Sequence, residues 1–174
     1  NIALQTELKQ KLLRSQMNPH FTFNTLNAIN HYIQSNEVAQ ASDYLAQYSR
    51  LIRQILENSS VNQISLEEEV RFLHDYISMQ KLRFGNAFEY EIKIGETIDP
   101  EEIEIPPMIT QPFVENAVEH GFRGMSNGGK LLISFTLENS ELLIAITDNG
   151  KGFNLKNQNQ DNETRKSFAL DITR

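Results

Sequence analysis

Two short runs hold the residues best placed to do chemistry. In PPMITQPFVENAVEHGF, Pro106 to Phe122, the residues Ile109, Phe113, Val114, Ala117 and Val118 recur at helical spacing, with Gln111, Glu115 and Glu119 facing away. The Pro-Pro pair predicts the start of this helix and Gly121 its C-cap. Asn116 and His120, four residues apart, interrupt the apolar arc. A polar side chain at such an edge needs a partner, either a neighbouring protein group or a ligand. In ITDNGKGF, Ile146 to Phe153, an alternating strand runs into Asp148, followed by Gly150 and Gly152. A carboxylate at a strand end accepts a hydrogen bond from an amino group, and glycines let backbone pass close to a ligand. Taken alone, this pattern also suits an ordinary turn.

A third candidate is His20, directly after Pro19. A neutral imidazole nitrogen is a nucleophile toward phosphorus, and an ordinary histidine is mostly neutral near pH 7. A lone histidine on a helix is otherwise a solvated or core side chain. Leu4, Leu8 and Leu12, with Leu13 and Met17, make an amphipathic stripe. It resumes after Pro19 through Phe21, Leu26, Ile29 and Ile33, which predicts one helix kinked at the proline.

The elements that must position these groups follow in order. A second helix is expected over Val38 to Asn58, with Val38, Ala41, Leu45, Tyr48, Ile52 and Ile55 on one face, folded back through a connection near Ser35 to Glu37. One hairpin buries only one face, so two hairpins forming a dimeric four-helix bundle are expected. Ser65 with Glu68 is a capping box opening a third helix that runs to Phe84 and stops at Gly85. Its face of Leu66, Val70, Leu73, Ile77 and Phe84 assigns His74 and the acids structural roles. Phe88, Tyr90, Ile92 and Ile94 alternate as a strand. Leu131 to Leu137 and Leu142 to Ile146 form an antiparallel hairpin around Asn139 and Ser140. Sheet on one side and the Asn116 helix on the other give an α+β fold. After Phe153 a polar run without periodicity is expected to form a loop over a bound ligand.

The 174 residues suit one sizeable core plus a helical appendage, divided at residues 1–62 and 63–174. A net charge of -7 without a basic face argues against nucleic acid as a partner. The absence of cysteine excludes disulfides and thiolate catalysis. No run reaches the ~18 apolar residues of a membrane span, and a chain that opens inside a helix is expected to be a fragment of something longer.

Two motifs in order carry a family resemblance. The run SQMNPHFTFNTLNAI, with Pro19, His20, Phe21, Phe23, Asn24, Leu26 and Asn27, resembles the phosphoacceptor segment of LytS-like sensor histidine kinases. VENAVEHG and DNGKGF resemble the N box and first glycine box of the ATP-binding domain shared by gyrase, heat-shock chaperones, histidine kinases and mismatch-repair ATPases, an α/β sandwich of Bergerat type. QKLRFG, Gln80 to Gly85, resembles the link before that domain and makes Arg83 a further candidate. The resemblance implies that His20 accepts a phosphoryl group, with Asn24 orienting it. It also implies that Asn116, His120, Asp148, Gly150 and Gly152 bind ATP, that Asn116 holds Mg²⁺ and that Asp148 reads the adenine amino group. Partners implied are a second copy of the chain, a response-regulator receiver domain and an upstream sensor or transmembrane region, which would make this the cytoplasmic portion of an inner-membrane protein. Two departures bear on phosphate binding. Ser167 and Ala169 stand where the second glycine box has its glycines, and Glu119 stands where relatives often have Lys. A pseudokinase module retaining the fold, or an ATPase switch without phosphohistidine, would suit those departures.

Overall fold

The computed structural model describes residues 19–85, 87–151 and 170–172. The first two helices, α1 (Pro19–Gln34) and α2 (Val38–Asn58), form the expected hairpin. Asn36 turns the chain with φ +60°, a conformation asparagine tolerates well. Glu37 N–H donates to the Tyr32 carbonyl at 2.8 Å and closes the turn. The expected kink at Pro19 and the stripe before it lie outside the described residues.

The hairpin's inner seam is rotated from the expected face. On α2 the fully buried residues are Ala41, Tyr44, Leu51 and Ile55, whereas Val38 and Leu45 are 64% and 49% exposed. Tyr44 and Leu51 take the inner positions because aromatic rings fill the seam: Tyr32 meets Tyr44 at 6.1 Å and Phe21 meets Tyr48 at 5.9 Å. On α1, Phe21 is buried, while Leu26 and Ile33 point outward. Thr25 is buried beside Phe21 with its hydroxyl donating to the Phe21 carbonyl at 2.9 Å. The hairpin therefore has a second apolar face.

Helix α3 (Leu66–Phe84) is capped as expected. Glu68 N–H donates to Ser65 Oγ at 3.2 Å, Ser65 N–H donates to Glu68 Oε2 at 3.0 Å, and Gly85 ends the helix at φ +60°. Phe72, Tyr76 and Met79 are buried along with Leu66, Leu73 and Ile77, so α3 is apolar on more than its expected face. It packs between the hairpin, through Phe21 against Tyr76 at 5.5 Å, and the sheet.

Strand β1 (Ile64–Ser65) pairs antiparallel with β3 (Glu104–Ile105). The main sheet runs β2 (Phe88–Ile94), β4 (Gly129–Glu138), β5 (Glu141–Asp148), β6 (Leu170–Ile172). β4 and β5 are the expected hairpin, turned by Asn139 at φ +50° and Ser140 at φ +69°. β2 joins parallel to β4, with Phe88 opposite Gly129. Inward-facing Leu131, Ile133, Phe135, Leu142, Ile144 and Ile146 alternate with wetter neighbours and close the core. Leu170–Ile172, just after the segment that stands in place of the second glycine box, pair with the open edge of β5, whose backbone groups need partners. Ser167 and Ala169 lie outside the described residues, as does the polar run after Phe153. The mixed helix and sheet content is the expected α+β class.

Helix α4 begins at Gln111, five residues later than expected, and runs to Asn116. The reason is Glu69, a fully buried carboxylate on α3. Its Oε2 accepts from Met108 N–H at 2.8 Å; its Oε1 accepts from Thr110 N–H at 3.1 Å and the Thr110 hydroxyl at 2.6 Å. These donors hold Met108 at φ +58°, a left-handed conformation that non-glycine residues rarely adopt, and so keep the helix from starting earlier. Burial pushes the Glu69 pKa up, and the Thr110 and Met108 hydrogen bonds oppose that shift. Glu69→Gln places an amide donor against one of these donors. It is expected to cost about 1–3 kcal/mol, read from the denaturation midpoint; an unchanged midpoint would show that the bonds do not hold the loop.

Candidate functional site

Past Asn116 the helix continues as one π turn, Ala117–Gly121, with one more residue per turn than an α-helix. Val118 and Phe122 are buried completely, and Phe122 stacks on Phe88 at 4.9 Å. The wider turn changes which side chains share a face from Ala117 onward, and before it the facing also differs from the expected one. Gln111, expected to face away, is buried. Glu115 and Glu119, also expected to face away, line a cavity together with Asn116 and His120.

That cavity is about 580 Å³ in volume. Its other walls are Pro112 and Arg123, Arg83 and Phe84 at the end of α3, and Asn24 of α1. The structure thus brings together Asn24, Arg83, Asn116 and His120, four of the candidates chosen from sequence. His20 lies four residues before Asn24 in the same helix; its side chain is outside the described residues. Arg83 Nη2 and Glu119 Oε1 are 2.5 Å apart, with their side chains only 15% and 12% exposed. Tyr44 lies near this pair. Burial pushes the Tyr44 hydroxyl up to about 12, and the Arg83 charge opposes that shift.

Asp148 and Gly150 lie beyond the π turn and are not among the residues that line the cavity. Half-buried Asp148 ends β5 opposite Leu131, and its Oδ1 accepts from Gly150 N–H at 2.9 Å. Gly121, expected as a helix cap, has a different role. A Cβ there would sit 3.0 Å from Asp148 Oδ1, and a Cβ on Gly150 would come within 2.4 Å of Gly121 Cα. The glycines are needed because the end of the π turn lies directly on the loop after β5. Lys151 N–H donates to the Gly121 carbonyl at 3.1 Å and holds that contact. Asn149 braces the loop from the other side: its Oδ1 accepts from Lys130 N–H at 2.6 Å and its Nδ2 donates to the Gly128 carbonyl at 2.9 Å. Gly152 lies outside the described residues.

The family resemblance set Glu119 near the phosphates, but helical spacing faced it away, and neither signal pointed to Arg123. A uniform α-helix put Glu119 on the solvent side, and only the π turn with the Arg83 contact reverses that. For Mg²⁺, Asn116 offers an amide oxygen, a hard ligand of the type this ion takes alongside substrate phosphates and waters. Gly150→Ala is expected to displace the loop and lower stability by about 1–3 kcal/mol, the usual cost of overpacking. A denaturation midpoint equal to that of the unsubstituted protein would contradict the close approach.

The chain is similar in sequence to known histidine kinases. The histidine kinase family model matches residues 8–88. The sensor protein LytS of Oceanobacillus iheyensis is 33% identical over 153 residues, 88% of this chain and 26% of its own length. The sensor histidine kinase BtsS of Escherichia coli K12 is 33% identical over 147 residues, 84% of this chain and 26% of its own. Among solved structures, the histidine kinase domain of a blue-light activated histidine kinase from Erythrobacter litoralis aligns with a TM-score of 0.44 at 16% identity, over 86% of this chain and 74% of that one. The chain spans about a quarter of the length of the curated relatives it matches. The family match over residues 8–88 and the identity to LytS and BtsS over most of the chain support a LytS-like sensor histidine kinase.

Proposed function

We propose that the chain is the dimerisation, phosphoacceptor and ATP-binding portion of a sensor histidine kinase acting in two-component signalling. Residues 1–62 supply the dimerisation and phosphoacceptor helices, and residues 63–174 supply a Bergerat-type ATP-binding domain. The observation that carries this reading is the shared cavity, in which Asn24 of the His20 helix faces Asn116 and His120 of the ATP-binding helix.

In the reaction, a neutral His20 ring nitrogen attacks the terminal phosphorus of ATP. The new N–P bond forms as the bridging P–O bond breaks and ADP leaves. Asn24 orients the imidazole or the arriving phosphoryl group. Asn116 would hold Mg²⁺, which would neutralise phosphate charge, and His120 lines the same cavity as Asn116. Asp148 accepts the adenine amino group, with Gly150 and Gly152 giving the backbone room to approach. The phosphoryl group then passes to an aspartate of a response-regulator receiver domain. Catalysis of this kind rests on positioning and charge neutralisation.

Two hairpins would pair through the exposed apolar residues Phe23, Leu26, Ile33, Val38 and Leu45 to give a homodimeric four-helix bundle. An upstream sensor or transmembrane region would deliver the signal to that bundle, making this the cytoplasmic portion of a membrane-associated protein. No helix among the described residues is long and apolar enough to cross a membrane.

His20→Gln is expected to abolish acid-labile label transferred to the protein from γ-labelled ATP while nucleotide affinity and helix content stay as they were. Label retained on the variant would move the phosphoacceptor elsewhere. Free phosphate from the unsubstituted protein without labelled protein would favour an ATPase switch, and silence in both would favour a pseudokinase. Independently, Leu45→Glu puts a charge into the proposed seam and is expected to convert dimer to monomer in light scattering; a persisting dimer would place the interface on another face.

A further inference from the structure

Arg83 has one arm fully engaged and one arm not. Its Nη2 is 2.5 Å from Glu119 Oε1, and its guanidinium carbon lies 4.3 Å from the centre of the Phe84 ring. Glu119 and Phe84 together fix the plane of the fork. The other terminal nitrogen, Nη1, is buried and has no hydrogen-bond partner among the described residues. A buried charged N–H without an acceptor is costly, and guanidinium geometry suits two acceptors held side by side. Arg83 also lines the cavity that Asn24, Asn116 and His120 share, so the unused donor belongs to a group at the edge of a space large enough for a ligand. Alone, Glu119 would repel an anion there; paired with Arg83, its charge is cancelled and the guanidinium is held in place.

We propose that Arg83 is the phosphate-binding arginine of this cavity, turning its free arm onto a terminal phosphate oxygen of the nucleotide while Glu119, a positioning residue, keeps the other. This rests on the reading of the cavity as an ATP site. A positive charge then reaches the phosphates from α3, the helix that also packs against the phosphoacceptor hairpin, and not from the Asn116 helix. Nucleotide binding would thereby tie the two together through one side chain.

The test is calorimetric titration of ATP, ADP and AMP with Mg²⁺ into the protein and two variants. Arg83→Met with Glu119→Gln removes both charges at once, so neither is left buried without its partner and net charge is unchanged. This double variant is expected to lose about tenfold in ATP affinity, less for ADP, and to keep AMP within about twofold. Arg83→Lys keeps the charge but not the fork and is expected to fall between. Equal loss for all three nucleotides would make Arg83 a structural residue and overturn the proposal, as would no loss for ATP. An unsubstituted protein that binds none of the three would overturn the nucleotide reading and this proposal together, whereas binding without the selective loss overturns this proposal alone.

Discussion

The buried carboxylate of Glu69 decides where the Asn116 helix begins, and much of the site depends on that choice. Two backbone N–H groups and a hydroxyl converge on it from a loop some forty residues further along the chain. They hold Met108 in a conformation it would not otherwise adopt and deliver Gln111 as the first helical residue. From there the spacing is determined. Asn116 reaches the cavity, the π turn brings Glu119 under Arg83, and Gly121 lands on Gly150. A carboxylate is costly to bury, yet here the alternative is a loop whose donors point into the core with nothing to accept them.

The same logic explains why three elements meet at one place. Helix α3 is buried on several sides and acts as the wall between the hairpin and the sheet. Its last turn carries Arg83 and Phe84 into the cavity, and its first turn carries Glu69 to the loop before α4. One rigid helix thus sets both where the residues facing Asn116 stand and how closely Asn24 approaches them.

Features governed by local chemistry were legible in the sequence. The capping box at Ser65, the left-handed glycine at position 85, the turn at Asn139 and Ser140 and the bounds of α2 all follow from residue type and neighbours. Features governed by distant partners were not. Nothing near Pro106 announces that Glu69 will delay the helix, and no spacing rule for a regular helix anticipates the π turn. The inner face of α2 was misjudged because the helix has two apolar faces, and only aromatic packing across the hairpin chooses between them. Within the site, residue types pointed to Asn116, His120 and Asp148, while the pairing that makes Glu119 compatible with an anion arises only in three dimensions.

The central claim is that the helix bearing His20 and the helix bearing Asn116 face one nucleotide-phosphate site. Paramagnetic broadening of backbone amide signals by Mn²⁺·ADP tests it directly, because the ion substitutes for Mg²⁺ at the phosphates and broadens only what lies near. The account predicts that amides around Asn24, Arg83 and Asn116 broaden together, with those of the β4–β5 turn at Asn139 spared. Broadening around Asn116 with the whole of α1 untouched would contradict it.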